Sequence, residues 1–467
     1  MRMKKRIEPG LVKNLEDIVG KDWVVTRKDD MLDYLVDETV ATVCPKPARD
    51  VVLVKPANAE QISSILKVAN EWKVSVFPRG GGTGLVGGAV PTQSGIVVSL
   101  ERMNRVVQVD RENLMVVVEA GVTLEKLVKV ADEAGLFFPL HPGDETAQVG
   151  GLVACNAGGA RAVRYGVMRN YVKGIEVVLP TGEILSLGGR LLKDAAGYSL
   201  MHLMIGSQGT LGVITKVVLR LYPRFRETAT LVVPFEDRHD ALRTVPRILQ
   251  EGMIPLAIEY VEGDLMENSA KQLGKEWPVR VGKASLVIIV TGDSKEEVYA
   301  LAERIDEIAR EYGAIDTLIV ENRRKQDDIL SIRSNIYLTL KRYSMDVLDV
   351  GVPPASIERL VEALDEVAEN YSMYLPIFGH AGDGNLHSHL LMKKAGGVEE
   401  RDLEKVKKEI YDVTIGLGGT ITAEHGIGKI RIENLHQYLG GKAIEIMKEI
   451  KEVFDPNKVL NPGTVVP

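Results

Sequence analysis

The chain has 467 residues, of which 45 % are hydrophobic and 26 % are charged, so it is long enough to build more than one core. Its net charge of −7 is spread along the sequence without a basic stripe, which argues against nucleic acid as a partner. The two cysteines, Cys44 and Cys155, exclude a disulfide framework or a cysteine-held iron–sulfur cluster built within this chain.

The N-terminal unit is predicted to span residues 1–45. Glu8 and Pro9 follow the basic segment Met1–Arg6 where a signal peptide would need an apolar stretch, and no segment has the length of about twenty apolar residues that predicts a membrane span. We therefore expect a cytoplasmic location, with peripheral contact at the inner face of a membrane as an alternative. Residues 9–20 predict a short helix, followed by an extended stretch.

Regular alternation begins after residue 46 and predicts an α+β domain over residues 46–224. Val51–Lys55 is a predicted strand, Ala59–Trp72 an amphipathic helix, and Val74–Phe77 a second strand. Pro223 marks the predicted boundary. The later predicted elements are strands at 95–100, 106–109, 114–119, 174–179 and 213–221 and a helix at 123–134.

A change of pattern predicts a second α+β domain over residues 225–440, with helices on one face of a mainly antiparallel sheet. A charged helix, Lys442–Phe454, and the turn Asn461–Gly463 make up the last predicted unit, residues 441–467. The predicted elements of the second domain are strands at 228–233, 257–261 and 285–291 and helices at 238–250, 295–312 and 325–343.

A glycine-rich loop follows the predicted strand Val74–Phe77. Residues Arg79–Gly88 read RGGGTGLVGG, which offers many unobstructed backbone N–H groups to a pyrophosphate. The loop contains G-x-G-x-x-G, but no helix begins at Gly87, so a Rossmann dinucleotide site is not predicted. The alternative interpretation is a glycine-rich turn without a ligand.

Four motifs in a consistent order carry a family resemblance: Arg79–Gly88, His141–Gly151, Asn156–Gly159 and Gly206–Gly212. They resemble the FAD-binding domain of the vanillyl-alcohol-oxidase flavoproteins, which implies FAD held between two α+β subdomains. Some members carry a covalently linked histidine in the first loop; Thr83 at that place predicts dissociable FAD. The cofactor-binding residues that the resemblance implies are Pro78, Arg79, Gly80, Gly81, Gly82, Thr83, Gly84, Leu85, Pro142, Gly143, Thr146, Gly150, Gly151, Asn156, Gly158, Gly159, Gly166, Ile214 and Asn461.

Histidines concentrate in the second half of the sequence. Three of them lie in ten residues, His380, His387 and His389, and Glu424-His425 adds a carboxylate and a fourth imidazole. Imidazoles with a carboxylate suit Zn²⁺, Mn²⁺ or Fe²⁺. Polar loop residues or structural histidines are the alternative interpretation.

These residues are similar to the C-terminal half of the D-lactate dehydrogenase, glycolate oxidase flavin-subunit and D-2-hydroxyglutarate dehydrogenase group. The resemblance implies a divalent metal, Zn²⁺ first with Mn²⁺ or Fe²⁺ as alternatives, on His380, His387 and Glu424. It makes His425 the catalytic base, and it assigns Arg333 and His389 to the substrate.

The implied reaction is oxidation of a small D-2-hydroxy acid. The acid chelates the metal, His425 accepts the hydroxyl proton, and a hydride passes from C2 to flavin N5. Val347 stands where the hydroxyglutarate enzymes carry a lysine, which favours D-lactate or glycolate. The alternatives are a D-2-hydroxyglutarate dehydrogenase and a flavin subunit serving an iron–sulfur partner; a quinone acceptor and a homodimer stay open. A metallohydrolase would leave the glycine motifs unexplained.

Overall fold

The computed structural model describes residues 7–466, so Met1–Arg6, whose basic character entered the signal-peptide argument, lies outside the described residues. Helix α1, Pro9–Val19, buries one apolar face formed by Leu11, Leu15 and Val19. The stretch that was predicted to be extended contains a 3₁₀ helix, Lys28–Tyr34.

A four-stranded sheet forms the first subdomain, in the order β1-β2-β4-β3, with β2, β4 and β3 parallel. Helix α2 begins where the Asn58 side chain accepts the Gln61 N–H, and it ends at Lys73 in the left-handed conformation. Its bounds agree with the sequence prediction. The elements are β1 Val24–Val25, β2 Val51–Val54, α2 Ala59–Trp72, β3 Ser75–Arg79 and β4 Gly95–Ser99.

The second subdomain contains a five-stranded antiparallel sheet in the order β5-β6-β10-β8-β9. Its elements are β5 Val106–Asp110, β6 Met115–Glu119, α3 Leu124–Glu133, β7 Leu136–Phe137, α4 Val149–Cys155, α5 Ala162–Tyr165, α6 Met168–Tyr171, β8 Val172–Val178, β9 Ile184–Gly188, α7 Leu200–Met204, β10 Val213–Arg220 and β11 Tyr222–Pro223. The α+β class predicted from the sequence is confirmed.

A seven-stranded antiparallel sheet, β15-β12-β14-β13-β17-β18-β16, follows. Its elements are β12 Glu227–Phe235, α8 Arg238–Gln250, β13 Ala257–Glu262, α9 Gly263–Leu273, β14 Ala284–Gly292, α10 Lys295–Glu311, β15 Leu318–Val320, α11 Arg323–Ser334, α12 Ile336–Lys341, β16 Ser344–Gly351, α13 Ile357–Asn370, β17 Ile377–His380, β18 Asn385–Leu391 and α14 Leu403–Gly416.

Helices cover both faces of this sheet, and the prediction of helices on one face was wrong. Neighbouring residues of β12 point to opposite cores: Leu231 packs with α8, α10 and α13, whereas Val232 packs with α9, α11 and α12. Burial on both sides explains why strands such as β13 and β16 are buried along their whole length.

Two predicted helices differ from the structure. The predicted helix 325–343 is two helices, because Asn335 ends α11 and its amide donates to Ser269 and Gln272. The C-terminal helix α15 begins earlier than predicted, at Ile432, and runs to Phe454 with a break at Gly440, whose φ is +73°. Among the described residues no helix is both long and apolar enough to span a membrane.

Candidate active site

A cavity of about 610 Å³ is lined by residues from both small subdomains and from the seven-stranded sheet. It brings together most of the predicted cofactor and substrate residues. Those that line it are Pro78, Arg79, Gly80, Gly81, Gly82, Thr83, Gly84, Leu85, Pro142, Gly143, Thr146, Gly150, Gly151, Gly158, Ile214, Arg333, His380, His387, His389, Glu424, His425 and Asn461. Val347, which the sequence linked to the choice of substrate, also lines it, and unpredicted lining residues include Glu38, Gln148, Gln208, Tyr337 and Phe378.

The glycine loop cannot carry side chains where it turns. Gly82 has φ of +76°, and a Cβ there would lie 2.1 Å from the Arg79 guanidinium. A Cβ on Gly81 would lie 3.0 Å from the Thr146 carbonyl oxygen. The Arg79 guanidinium itself donates to the backbone oxygens of Asp33 and Val36, each at 2.6 Å. Arg79 therefore anchors the N-terminal segment against the loop.

The C-terminal tail completes the wall beside this loop. The Asn461 N–H donates to the Val76 oxygen at 2.7 Å, which ties the tail to β3. The Asn461 side-chain amide donates to the backbone oxygens of Gly88 and Gln208 at 3.2 and 2.8 Å. Residues far apart in sequence thus share one wall of the cavity.

Three predicted cofactor residues, Asn156, Gly159 and Gly166, do not line this cavity. Asn156 ends α4 in the left-handed conformation, and its side chain accepts the Arg169 N–H. Gly159 and Gly166 lie on either side of α5 with φ of +138° and +78°, and both line a second cavity instead. Positive φ values at these three positions explain why asparagine and glycine occur there.

The predicted metal ligands converge on one carboxylate oxygen. The Nε2 atoms of His380 and His387 both lie 3.4 Å from Glu424 Oε1, and His425 Nε2 lies at 3.9 Å. Donors bound to one Zn²⁺ at about 2.1 Å in tetrahedral geometry are separated by roughly 3.4 Å. The imidazole rings of His387 and His425 are stacked, with an interplanar angle of 3°.

Asp349 holds the loop that carries Glu424 and His425. This fully buried carboxylate accepts the backbone N–H groups of Ala423, Glu424 and His425 and the Thr422 hydroxyl on one oxygen, at 2.7–2.9 Å. Its other oxygen accepts from the Asn385 amide at 2.8 Å. Burial alone would raise the pKa of Asp349, but His425 and these N–H groups outweigh it and lower the pKa.

Glu259 contacts His380 and Arg333 and fixes their positions, as Asp349 does for the loop of Glu424 and His425. Its buried carboxylate lies 2.6 Å from His380 Nδ1 and 2.5 Å from Arg333 Nε. Burial opposes ionisation of Glu259, yet Arg333 and His380 lower its pKa. Burial likewise disfavours the charged form of His380, but Glu259 and Glu424 raise its pKa to about 10. The negative charges of Glu259 and Glu424 therefore favour positive charge at His380, and a divalent cation bound at Nε2 would take the place of the proton there.

Two other histidines of the cluster are held neutral. Burial, followed by His425 and His380, lowers the pKa of His387 well below its usual value. Burial lowers the pKa of His389 to about 3, and its Nδ1 lies 2.8 Å from the Ser344 hydroxyl. His389 Nε2 has no hydrogen-bond partner among the described residues. Neutral imidazoles are the form that can bind a metal or a substrate hydroxyl.

Glu259 and Asp349 were not predicted as site residues. Both are acidic residues in strands that are buried along their whole length, β13 and β16, and a carboxylate is rarely buried without a paired charge or a set of donors. That signal was present in the sequence, but the partner of each carboxylate lies far away along the chain.

The donor sets fit the implied groups. The glycine walls leave room for an elongated ligand and expose backbone N–H groups that suit phosphate oxygens. Two imidazole nitrogens and a carboxylate oxygen that meet at 3.4 Å suit a divalent cation. The Nδ1 of His380 meets a carboxylate, as is usual for a metal-binding histidine.

Known proteins of similar sequence and fold agree with this architecture. Residues 51–188 match the FAD binding domain, and residues 224–465 match the C-terminal domain of FAD linked oxidases. The chain is 44 % identical to the D-lactate dehydrogenase of Archaeoglobus fulgidus, over 93 % of this chain and 95 % of that protein. It is 34 % identical to the glycolate oxidase subunit GlcD of Bacillus subtilis, over 88 % of each.

Solved structures extend the likeness to the fold. The structure of p-cresol methylhydroxylase with substrate bound has a TM-score of 0.80 at 18 % identity. The superposition covers 99 % of this chain and 98 % of the p-cresol methylhydroxylase chain. That likeness supports the vanillyl-alcohol-oxidase-type fold, while the sequence matches confirm the predicted FAD-binding domain. Because the C-terminal match covers more than half of the chain, this protein is an FAD-linked oxidoreductase that belongs to the FAD-linked oxidase family.

Proposed function

We propose that this enzyme oxidises a small D-2-hydroxy acid, with D-lactate or glycolate favoured, to the 2-oxo acid, using non-covalent FAD and a divalent metal. The observation that carries the proposal is the meeting of His380, His387 and Glu424 at 3.4 Å inside the cavity that the glycine loop also lines. The relatives named D-lactate dehydrogenase and glycolate oxidase subunit support it.

We assign the metal to His380, His387 and Glu424. Asp349, His387, Glu424 and His425 form an alternative set, in which the ligand atoms lie within 4.8 Å of one another. We prefer the first set because Asp349 already accepts five hydrogen bonds, which commits both of its oxygens. Zn²⁺ fits a site of imidazoles and one carboxylate, and Mn²⁺ or Fe²⁺ are the alternatives.

Arg333 supplies the cation for the substrate carboxylate. A guanidinium has five N–H donors, and Glu259 engages the Nε end. The remaining donors belong to a side chain that lines the cavity and lies over Phe378, 5.2 Å from the ring centre. Glu259 therefore orients Arg333, whose Nη2 also lies 3.4 Å from His380 Nδ1, and Nη1 is left for an anion.

His425 is the proposed base. When bound, the flavin supplies a hydride acceptor and the divalent cation polarises the substrate hydroxyl. His425 Nδ1 lies 4.0 Å from the buried Asp349, so an imidazolium formed by proton transfer has a nearby negative charge. Phe378 covers the histidines at 5.5 Å from the rings of His387 and His389 and excludes water from that side.

The substrate class follows from the charges of the cavity. Among the described lining residues the lysines and arginines are Arg79 and Arg333, and the Arg79 guanidinium is held by two carbonyl oxygens. Val347 lines the cavity and is 5 % exposed. A second carboxylate would lack a cation there, which favours a monocarboxylic acid; D-2-hydroxyglutarate is the alternative.

Cofactor attachment, domain limits and partners complete the proposal. Thr83 has no nucleophilic imidazole, so we propose dissociable FAD bound by those predicted residues that line the cavity. We propose units of 1–45, 46–224, 225–440 and 441–467, the last returning to the flavin. Because one relative is named as a glycolate oxidase subunit, a flavin subunit that passes electrons to an iron–sulfur partner or a quinone is the second candidate function.

The decisive experiment is anaerobic mixing of the purified holoenzyme with D-lactate, L-lactate, glycolate and D-2-hydroxyglutarate while the flavin absorbance is followed. We expect D-lactate or glycolate to bleach the flavin fastest, chelation to abolish the reaction, and Zn²⁺ or Mn²⁺ to restore it. A yellow protein that no acid reduces would contradict the substrate oxidation and favour the electron-transfer subunit. Reduction that survives complete metal removal would contradict the metal role.

A further inference from the structure

A second cavity of about 520 Å³ opens beside the candidate active site, and we name it the side passage. Its walls include Ala162, Asp383, Gly418 and Tyr438. None of these residues lines the 610 Å³ cavity of the candidate active site, which we name the main cavity. Tyr438 is 38 % exposed, which places this end of the side passage at the protein surface. The proposed mechanism uses none of these residues.

The side passage and the main cavity share two residues, Gly158 and Glu424. A Cβ on Gly158 would lie 2.7 Å from Glu424 Oε2, so the absence of a side chain lets this carboxylate occupy the partition. Glu424 Oε1 faces His380 and His387 from the same partition. One proposed metal ligand is thus reachable from two directions.

The two cavities differ in charge. The carboxylic acids among the described walls of the side passage are Asp383 and Glu424, and no lysine or arginine is among these described walls. The main cavity presents Arg333, which suits an anionic substrate. A passage with acidic walls raises the local concentration of cations and disfavours a carboxylate anion. The side passage is therefore suited to a small cation.

We propose that the side passage admits and releases the divalent cation while FAD stays bound in the main cavity. The inference rests on the proposed metal site. A flavin that fills the main cavity would cover the histidine cluster from that side, which leaves the side passage as the open path to Glu424. Asp383 and Ala162 both line this path, so the Asp383 carboxyl can engage a passing cation and a larger side chain at position 162 would narrow the path.

The test measures release of Zn²⁺ from the FAD-loaded enzyme. A chromogenic chelator reports free Zn²⁺, and flavin fluorescence reports any release of FAD in the same sample. We expect Zn²⁺ to leave with FAD retained. Ala162→Trp should slow the release by at least about tenfold, and Asp383→Asn should slow uptake of added Zn²⁺ several-fold at low salt. Ala195→Trp, on an exposed loop outside both cavities, is the matched control.

Each other outcome overturns the inference. Release of Zn²⁺ only in step with FAD would place the route in the main cavity, as would an unchanged rate in Ala162→Trp. A fall in kcat/KM for D-lactate as large as the slowing of Zn²⁺ release would make the side passage a substrate route. If Ala162→Trp fails to fold, Ala162→Leu takes its place. A purified holoenzyme that binds no divalent metal would instead overturn the proposed function.

Discussion

The two halves of the candidate active site are built by opposite means. The glycine side offers backbone groups and no side chains. Glycine is needed at positions 81 and 82 because a Cβ there would meet the Thr146 carbonyl oxygen or the Arg79 guanidinium. The histidine side offers side chains from the two strands β17 and β18 and from a loop, and buried carboxylates hold His380 and the loop of Glu424 and His425. A backbone surface can be recognised from a local motif. The side-chain cluster instead depends on partners that are distant in the sequence, such as His380 and Glu259, which are 121 residues apart.

Because the two halves are built differently, substitutions in them should have different effects on FAD and metal binding. Loss of a side chain on the histidine side should affect the metal and the chemistry but leave FAD bound. Addition of a side chain on the glycine side should affect FAD but leave the metal bound. Variants on either side therefore test whether the two halves are independent.

The largest effect is expected for Glu424→Gln, which removes the carboxylate where the two Nε2 atoms meet. We expect the rate of flavin reduction by D-lactate to fall by about 10³-fold or more, with loss of the metal. FAD content should stay at the wild-type level. Rapid-mixing absorbance and elemental analysis measure both, and Glu60→Gln on the exposed side of α2 is the control. Full metal content in Glu424→Gln would contradict the ligand assignment.

Asp349→Asn should have the next largest effect. The amide NH₂ that replaces one oxygen would face either the Asn385 amide or the donors of the loop 422–425. We expect unfolding free energy to fall by about 3 kcal/mol and metal affinity by about 10–100-fold. Urea unfolding and metal titration check this against Asp17→Asn on the exposed face of α1. Unchanged metal affinity would show that Asp349 does not position the cluster.

On the glycine side, Gly151→Leu tests the empty space directly. A Cβ at Gly151 meets no atom within 4 Å, and the residue lines the main cavity within α4. The FAD-free protein should be as stable as wild type, or more stable by up to about 0.8 kcal/mol, because leucine favours a helix over glycine. FAD should bind at least about tenfold more weakly. Gly189→Leu, also in open space, is the control for flavin titration; equal affinities in both variants would contradict the placement of FAD.

A pH dependence of the stability is expected at Glu259. Its pKa is lowered in the folded protein, so its ion pair stabilises the fold above pH 4.5 and loses that contribution as pH falls through the folded pKa. In chelator-treated protein, Glu259→Gln should be less stable than wild type by about 3 kcal/mol at pH 6. The difference should shrink below pH 4.5, as measured by urea unfolding. A difference that stays constant with pH would contradict an ionised Glu259.

Particular residues explain how much could be predicted from the sequence. Helix α2 was predicted with its observed bounds, since its apolar spacing and its Asn58 cap are local. The predicted helix 325–343 failed at Asn335, whose side chain bonds to residues of α9 that no local pattern reveals. The sheet was taken to be covered on one face, although its strands have near-continuous apolar runs typical of burial on both faces.

In the candidate active site, too, local sequence patterns revealed some residues and missed others. The histidines and Glu424 lie in short motifs, and His380, His387, His389, Glu424 and His425 all line the cavity. Glu259 and Asp349 became visible only through the register of the antiparallel sheet, in which β17 lies between β13 and β18, and β18 pairs with β16. Which strands become neighbours is a property of the whole fold, and a single sequence does not contain it in local form.

The attachment of Asn461 to β3 and to the carbonyls of Gly88 and Gln208 bears on the order of biosynthesis. During translation the first subdomain emerges long before the residues around Asn461 have been added, and domains of a growing chain fold from the N-terminus onward. The wall beside the glycine loop is incomplete until that segment leaves the ribosome. Stable retention of the flavin is therefore expected to be a post-translational event, and nascent chains should expose an unfinished nucleotide cleft.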